Sequence, residues 1–418
     1  MTPVPGGKTD WAVWSCTWAV PEIWFCATIN RSGKSKTAVQ QNQCNDKLAA
    51  LAPNASRPTP HHVMSTFRHL LQPALPTLRG LGLCVGMALT TLPAARAAPS
   101  LDDLPPAAVQ ALSRASAAVV GLEVQAIEGA RTAATLGERR VGSGVLIDAN
   151  GLILTIGYLM VEAEEVQIVT PDNKSLPARA IAYDPATGFG LVRSLLPLRG
   201  LQPVRLGNSR GVAEGQPLVA VSAGQSDGTP PDVTMLRLIS RRAFSGSWEY
   251  HLDSALFTIP AIPNHSGAAL FNHAGELVGI GSLYVRDTLG RDGLLPGNMY
   301  VPVELLKPVL EELQRTGSSA ASHRPWLGLT SSERRGRVQV VQVGEDTPAE
   351  RAGLGMGDII LAVDGVRVAT LETFYKRLWA HTQADKPIQL TVQQGPEVKT
   401  LLLPAVERAS TLKQPAGI

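Results

Sequence analysis

The 418-residue chain carries 38 Lys and Arg against 35 Asp and Glu, a formal net charge of +3, with only 17% of its residues charged. That balance excludes a charge-driven nucleic-acid surface, and the length gives room for two or three domains with sizeable cores. All four cysteines (Cys16, Cys26, Cys44 and Cys84) precede residue 85, so the rest of the chain uses no disulfide and no cysteine metal site. Their spacing fits no zinc pattern. With 39 glycines, 31 prolines and few long helical runs, the composition favours a β-rich protein.

In residues 1–63, Trp11, Trp14, Trp18 and Trp24 crowd a stretch without periodicity. It reads as a disordered or mis-predicted N-terminal extension. Residues 64–97 have the tripartite form of a secretory signal peptide: basic Arg68 and Arg79, an apolar run over 81–94, and the small-x-small site Ala95-Arg96-Ala97. The run is shorter than the ~20 residues of a comfortable membrane span. Met64 is then the expected start and Ala98 the expected mature N-terminus. This places the remainder in the periplasm or cell envelope, with membrane contact only through the segment if it stays uncleaved.

Residues 99–120 read as a short helix leading into a strand. Residues 141–310 give short β-type runs at 144–148, 152–155, 166–169, 217–221 and 235–239, separated by Gly, Pro, Asn and Asp. Such spacing predicts an all-β barrel or sandwich. Residues 303–315 have helical spacing, with Pro308 tolerable only near the first turn. A linker, 317–324, leads to a second small domain over 326–404. There Gly353 stops a short helix at 348–352, and Asp364-Gly365 closes a hairpin.

The segment 256–284 carries a polar loop with Ser266-Gly267 between apolar strands, the way a nucleophilic serine is presented. Four motifs, one of them inside this segment, stand in register along the chain. These are Gly142-Ser143-Gly144 to Asp148 with Gly151 to Thr155; Tyr183-Asp184-Pro185-Ala186-Thr187; Leu206-Gly207-Asn208-Ser209; and Pro263-Asn264-His265-Ser266-Gly267. Together with the second domain, this resembles the HtrA/Do-like (DegP-type) family of trypsin-fold serine proteases with a C-terminal PDZ domain. The resemblance covers about residues 105–405. It implies a chymotrypsin/trypsin-like double β-barrel over 99–316 and a PDZ domain over 322–405.

The resemblance also implies a triad, and the chain departs from it. Tyr158 stands at the histidine position and Gly188 at the aspartate position; only Ser266 is kept. A phenol titrates near ~10, so it is neutral at pH 7 and does not serve as a base there. Between Ala117 and Asn264 the only histidine is His251, and Lys174 is the only lysine between Lys47 and Lys307. The oxyanion hole would be made by the N–H groups of Asn264 and Ser266, with Asn264 where the family has glycine. In the PDZ domain, Trp326-Leu327-Gly328-Leu329 would be the carboxylate-binding loop, with the N–H groups of Leu327 and Gly328 holding a peptide's C-terminus.

The expectation is therefore a pseudoprotease of the envelope. It would bind unfolded or C-terminal peptides as an adaptor, a holding chaperone or a regulator of an active relative. The alternative is an active serine endopeptidase with Ser266 as nucleophile and an unconventional base such as His251. A purely structural envelope protein is the third class. No nucleic-acid partner, metal or organic cofactor is implied.

Overall fold

The structure, a computed structural model, describes residues 26–29, 35–38, 104–291, 293–381 and 386–414. The segment 64–97, expected to be a signal peptide, and most of the 1–63 stretch lie outside the described residues. Within that stretch, Cys26–Ile29 and Ser35–Ala38 pair as an antiparallel ladder, although the composition there predicts no regular element.

Helix Pro106–Ser116 opens with proline at its first position, where the missing N–H costs nothing. It buries Ala108, Leu112 and Ala115 on one stripe. Two closed six-stranded barrels follow. The first runs, in hydrogen-bonded order, Val119–Ala126, Arg139–Leu146, Leu152–Ile156, Phe189–Ser194, Ser175–Tyr183 and Ala163–Val169. The second runs Asp232–Gly246, Tyr250–Ile259, Gly297–Pro302, Leu277–Val285, Ala269–Phe271 and Pro217–Ser222. Closure leaves no strand edge open, which removes the template for edge-to-edge pairing with another chain. One apolar cluster runs through both barrels, from Leu122, Ile153 and Leu191 to Phe257, Phe271 and Met299.

The helix expected over 303–315 is shorter than its periodicity predicts. A 3-10 turn covers Val303–Leu305, and the α-helix spans only Leu310–Thr316. Pro308 offers no N–H, and its ring opposes the carbonyl four residues back, so regular helix begins beyond it. The helix ends at Gly317, whose φ of 83° closes the last turn.

The C-terminal domain is a sheet ordered Leu329–Arg334, Arg337–Val343, Ile359–Val363, Ile388–Gln394 and Glu397–Leu403. Strand Val366–Arg367 folds back on Ile359–Val363 through Asp364 and Gly365, both at positive φ. Helix Leu371–Trp379 is held at its start by a capping box from Thr370 and Thr373. It buries Leu371, Phe374, Tyr375 and Leu378 against Leu327, Val338, Ile360 and Leu390. Among the described residues no helix is long and apolar enough to cross a membrane.

Candidate active site and carboxylate loop

The Ser266 loop is clamped between the barrels. Ser143 N–H, on strand Arg139–Leu146 of the first barrel, donates to the Ser266 carbonyl at 2.9 Å. Gly267 N–H donates to the Gly281 carbonyl of the second barrel, also at 2.9 Å. Gly267 sits at φ 74°, and a Cβ there would fall 1.9 Å from the Ser143 carbonyl oxygen. Only glycine fits this turn.

Tyr158 projects from the 3-10 turn Gly157–Leu159, directly after strand Leu152–Ile156. Its carbonyl is held by the buried Arg140 guanidinium at 3.2 Å. Its phenol oxygen lies 2.7 Å from Ser266 Oγ and 2.9 Å from the Ser282 carbonyl oxygen. The phenol has one proton for these two neighbours. If it donates to the carbonyl, the serine proton must point at a neutral phenol oxygen. If it donates to Oγ, it occupies the lone pair with which the serine would attack. Neither arrangement removes the serine's proton. Burial pushes the Tyr158 phenol up to about 12, against a smaller lowering from the Ser266 hydrogen bond.

At the second candidate triad position a neighbour fills the space of the absent side chain. Gly188 has φ 85°, and a Cβ there would meet Tyr250 Oη at 2.7 Å. That phenol donates to the Thr187 carbonyl at 2.7 Å. Asp184 survives in this loop as an anchor, accepting from Thr187 Oγ1, Ser319 Oγ and Ser322 Oγ. Gly188→Asp is accordingly expected to confer no activity and to cost about 1–3 kcal/mol, the usual penalty for a side chain forced to a left-handed backbone. Urea unfolding measures it. A variant as stable as the unaltered chain would mean that neither the left-handed backbone nor Tyr250 resists the side chain.

Between the barrels and the C-terminal domain lies an open cleft. Tyr158, Gly188, Tyr250 and Ser282 line it on the barrel side, and Arg324, Trp326, Trp379 and Arg408 on the other. At its edge the loop after strand Pro325–Trp326 is occupied. The Glu249 carboxylate accepts from the N–H groups of Leu327 (3.0 and 3.2 Å), Gly328 (2.8 Å) and Leu329 (2.9 Å). Glu249 is only 6% exposed. Burial pushes its carboxyl above the usual range, while the three N–H groups pull the other way.

Residues 142–280 match the trypsin-like peptidase domain family, and residues 325–404 match the PDZ domain family. A probable periplasmic serine endoprotease DegP-like of Pseudomonas fluorescens (strain Pf-5) is 30% identical over 299 residues, covering 65% of this chain and 60% of that protein. Its counterpart in Ectopseudomonas mendocina is 30% identical over 237 residues, covering 54% of this chain and 48% of that one. The chain belongs to the HtrA/DegP-type family with a C-terminal PDZ domain. It spans 60% or less of the length of these curated relatives. The solved structure of the HtrA-type protease AlgW with decapeptide covers 74% of this chain and 99% of its own, at 22% identity and a TM-score of 0.46.

Within this HtrA-type frame, the structure brings Tyr158 and Ser266 together and leaves the other candidate bases engaged elsewhere. His251 Nδ1 pairs with Ser245 Oγ at 2.9 Å, and its Nε2 with Asp253 at 3.2 Å. The Glu372 carboxylate lies 4.0 Å from the same Nε2. This group of one histidine and two carboxylates already encloses a cation, because Lys376 Nζ sits 2.7 Å from Asp253 and 2.8 Å from Glu372. His265 donates from Nδ1 to the Ile262 carbonyl at 3.3 Å, and burial lowers its affinity for a second proton. Lys174 pairs with Asp172 at 2.6 Å on the surface. Asn264 is not among the described residues with positive φ. The residues that sequence reasoning missed are Glu249, Tyr250, Ser282 and Arg140, each joined to the site by tertiary packing and not by a motif.

Proposed function

We propose that this protein is a proteolytically silent member of the HtrA/DegP-type family, exported to the periplasm or cell envelope, that binds unfolded or C-terminal peptides in its PDZ groove. The hydrogen bond between Tyr158 and Ser266 carries the reading. In a comparable triad enzyme, loss of the base costs about 10⁶-fold in turnover, leaving roughly 10³–10⁴ over water from the oxyanion hole and binding. Here a neutral phenol stands against the nucleophile and a second phenol, Tyr250, occupies the place of the acid. The periplasmic names of the relatives support the location. The three N–H groups of residues 327–329, already ligating a carboxylate, support recognition of a peptide terminus.

The test is degradation of a permanently unfolded, carboxymethylated protein by the full chain and by Ser266→Ala, followed over hours at pH 7 and pH 9. The expected result is no difference between the two at either pH. With a phenol near 12, only about one molecule in 10³ carries a phenolate even at pH 9. Cleavage by the unaltered chain that disappears in Ser266→Ala would establish the alternative, an active serine endopeptidase with an unconventional base.

A further inference from the structure

The long hairpin Asp232–Gly246 and Tyr250–Ile259 leaves its own barrel and enters the C-terminal domain at its tip, residues 247–249. Its contacts there have the pattern of a bound peptide. Ser331 N–H, on the strand Leu329–Arg334, donates to the Ser247 carbonyl at 2.8 Å, as a sheet-edge strand would to an added one. From the facing helix Leu371–Trp379, Tyr375 Oη donates to the Gly246 carbonyl at 2.7 Å and accepts from Glu249 N–H at 3.3 Å. The Glu249 carboxylate takes the three N–H groups of the carboxylate loop. Glu249 itself stands at φ 59°, a backbone state unusual for a side chain with a Cβ, which turns its carboxylate into the loop.

We propose that Ser247-Trp248-Glu249 is a built-in ligand of the PDZ groove, and that a peptide with a free C-terminal carboxylate binds by displacing Glu249 from the N–H groups of residues 327–329. This rests on the peptide-binding reading above and adds the regulation of that site. The hydrogen bonds from these three N–H groups are shielded from water, so the contact holds well. It is also intramolecular, so the internal ligand competes at an effective concentration on the order of millimolar. A groove that is closed nine times in ten weakens an incoming peptide about ten-fold, because only the open fraction binds. The same tip carries Tyr250, stacked on Trp248 with centroids 6.0 Å apart and filling the space beside Gly188. Displacing Glu249 therefore loosens the barrel-side cleft as well.

The experiment measures fluorescence polarisation of a fluorescein-labelled randomised decapeptide library with free C-termini, and of its C-terminally amidated twin, on the full chain and on Glu249→Ala. The expected result is binding of the free-carboxylate library about ten-fold or more tighter in the variant, with no such gain for the amidated twin. Equal affinity in both proteins would overturn the internal ligand while leaving peptide binding intact. No binding by either would overturn both. A second measurement needs no variant. Hydrogen exchange on the unaltered chain at saturating library is expected to speed the amides of residues 247–250. A bound library that leaves those amides as protected as before would overturn the proposal.

Discussion

Tyr158→His is expected to raise the reactivity of Ser266 toward a fluorophosphonate by roughly 10²-fold. In a comparable triad, losing the base costs about 2 × 10⁶ in turnover and losing the acid alone about 3 × 10⁴, so a serine–histidine pair without its acid recovers the ratio of the two. The position allows it. The phenol oxygen already lies 2.7 Å from Ser266 Oγ, and the Ser282 carbonyl beside it can accept a ring N–H and so orient an imidazole. The turn Gly157–Leu159 stays anchored by Arg140 whatever side chain position 158 carries. The gain stops short of a full triad because Gly188 supplies no carboxylate and Tyr250 Oη stands where a side chain there would begin. Intact-mass kinetics read the labelling rate. A histidine variant no faster than the unaltered chain would mean that the missing base is not what silences the serine.

The second large effect is on stability. Gly267→Ala places a methyl group 1.9 Å from the Ser143 carbonyl oxygen and 2.7 Å from Thr155 Oγ1, at φ 74°. Thr155 Oγ1 already donates to that same carbonyl at 2.7 Å, so neither atom can retreat without breaking a buried hydrogen bond. Left-handed strain of about 1–3 kcal/mol adds to overpacking of about 1–3 kcal/mol. The sum corresponds to a fall in Tm on the order of 10 °C for a domain of this size. Gly215→Ala is the control, because Gly215 has φ 81° with nothing within 4 Å of where a Cβ would stand, and it should show the strain alone. Thermal unfolding of the two variants separates the effects. Equal Tm values would sink the argument that the Ser266-Gly267 turn is retained for packing between the barrels.

The architecture was legible because it rests on local signals. Short apolar runs such as 152–155 and 217–221 fall within observed strands, and Gly353 and Gly365 sit at the positive φ their stops and turns require. Tyr158 and Gly188 could be singled out too, since they follow motifs whose register is fixed. What surrounds them could not. Tyr250 reaches Gly188, and Glu249 reaches Leu327, across long stretches of chain that no periodicity links. A lone Glu next to a Tyr at a hairpin tip has no sequence signature. Its partners are backbone N–H groups, which every residue but proline carries. The expected helix over 303–315 failed for a local reason, since its apolar spacing continues through a proline that its hydrogen bonds cannot.

Whether Ser266 is an activated nucleophile decides between a silent and an active protease fold. The most direct measurement is the second-order labelling rate of the full chain with a fluorophosphonate at pH 6 to 9, read by intact mass beside Ser266→Ala. A neutral phenol against the serine predicts rates that do not differ between the two proteins at any of these pH values. Stoichiometric labelling of the unaltered chain that vanishes in Ser266→Ala would contradict it.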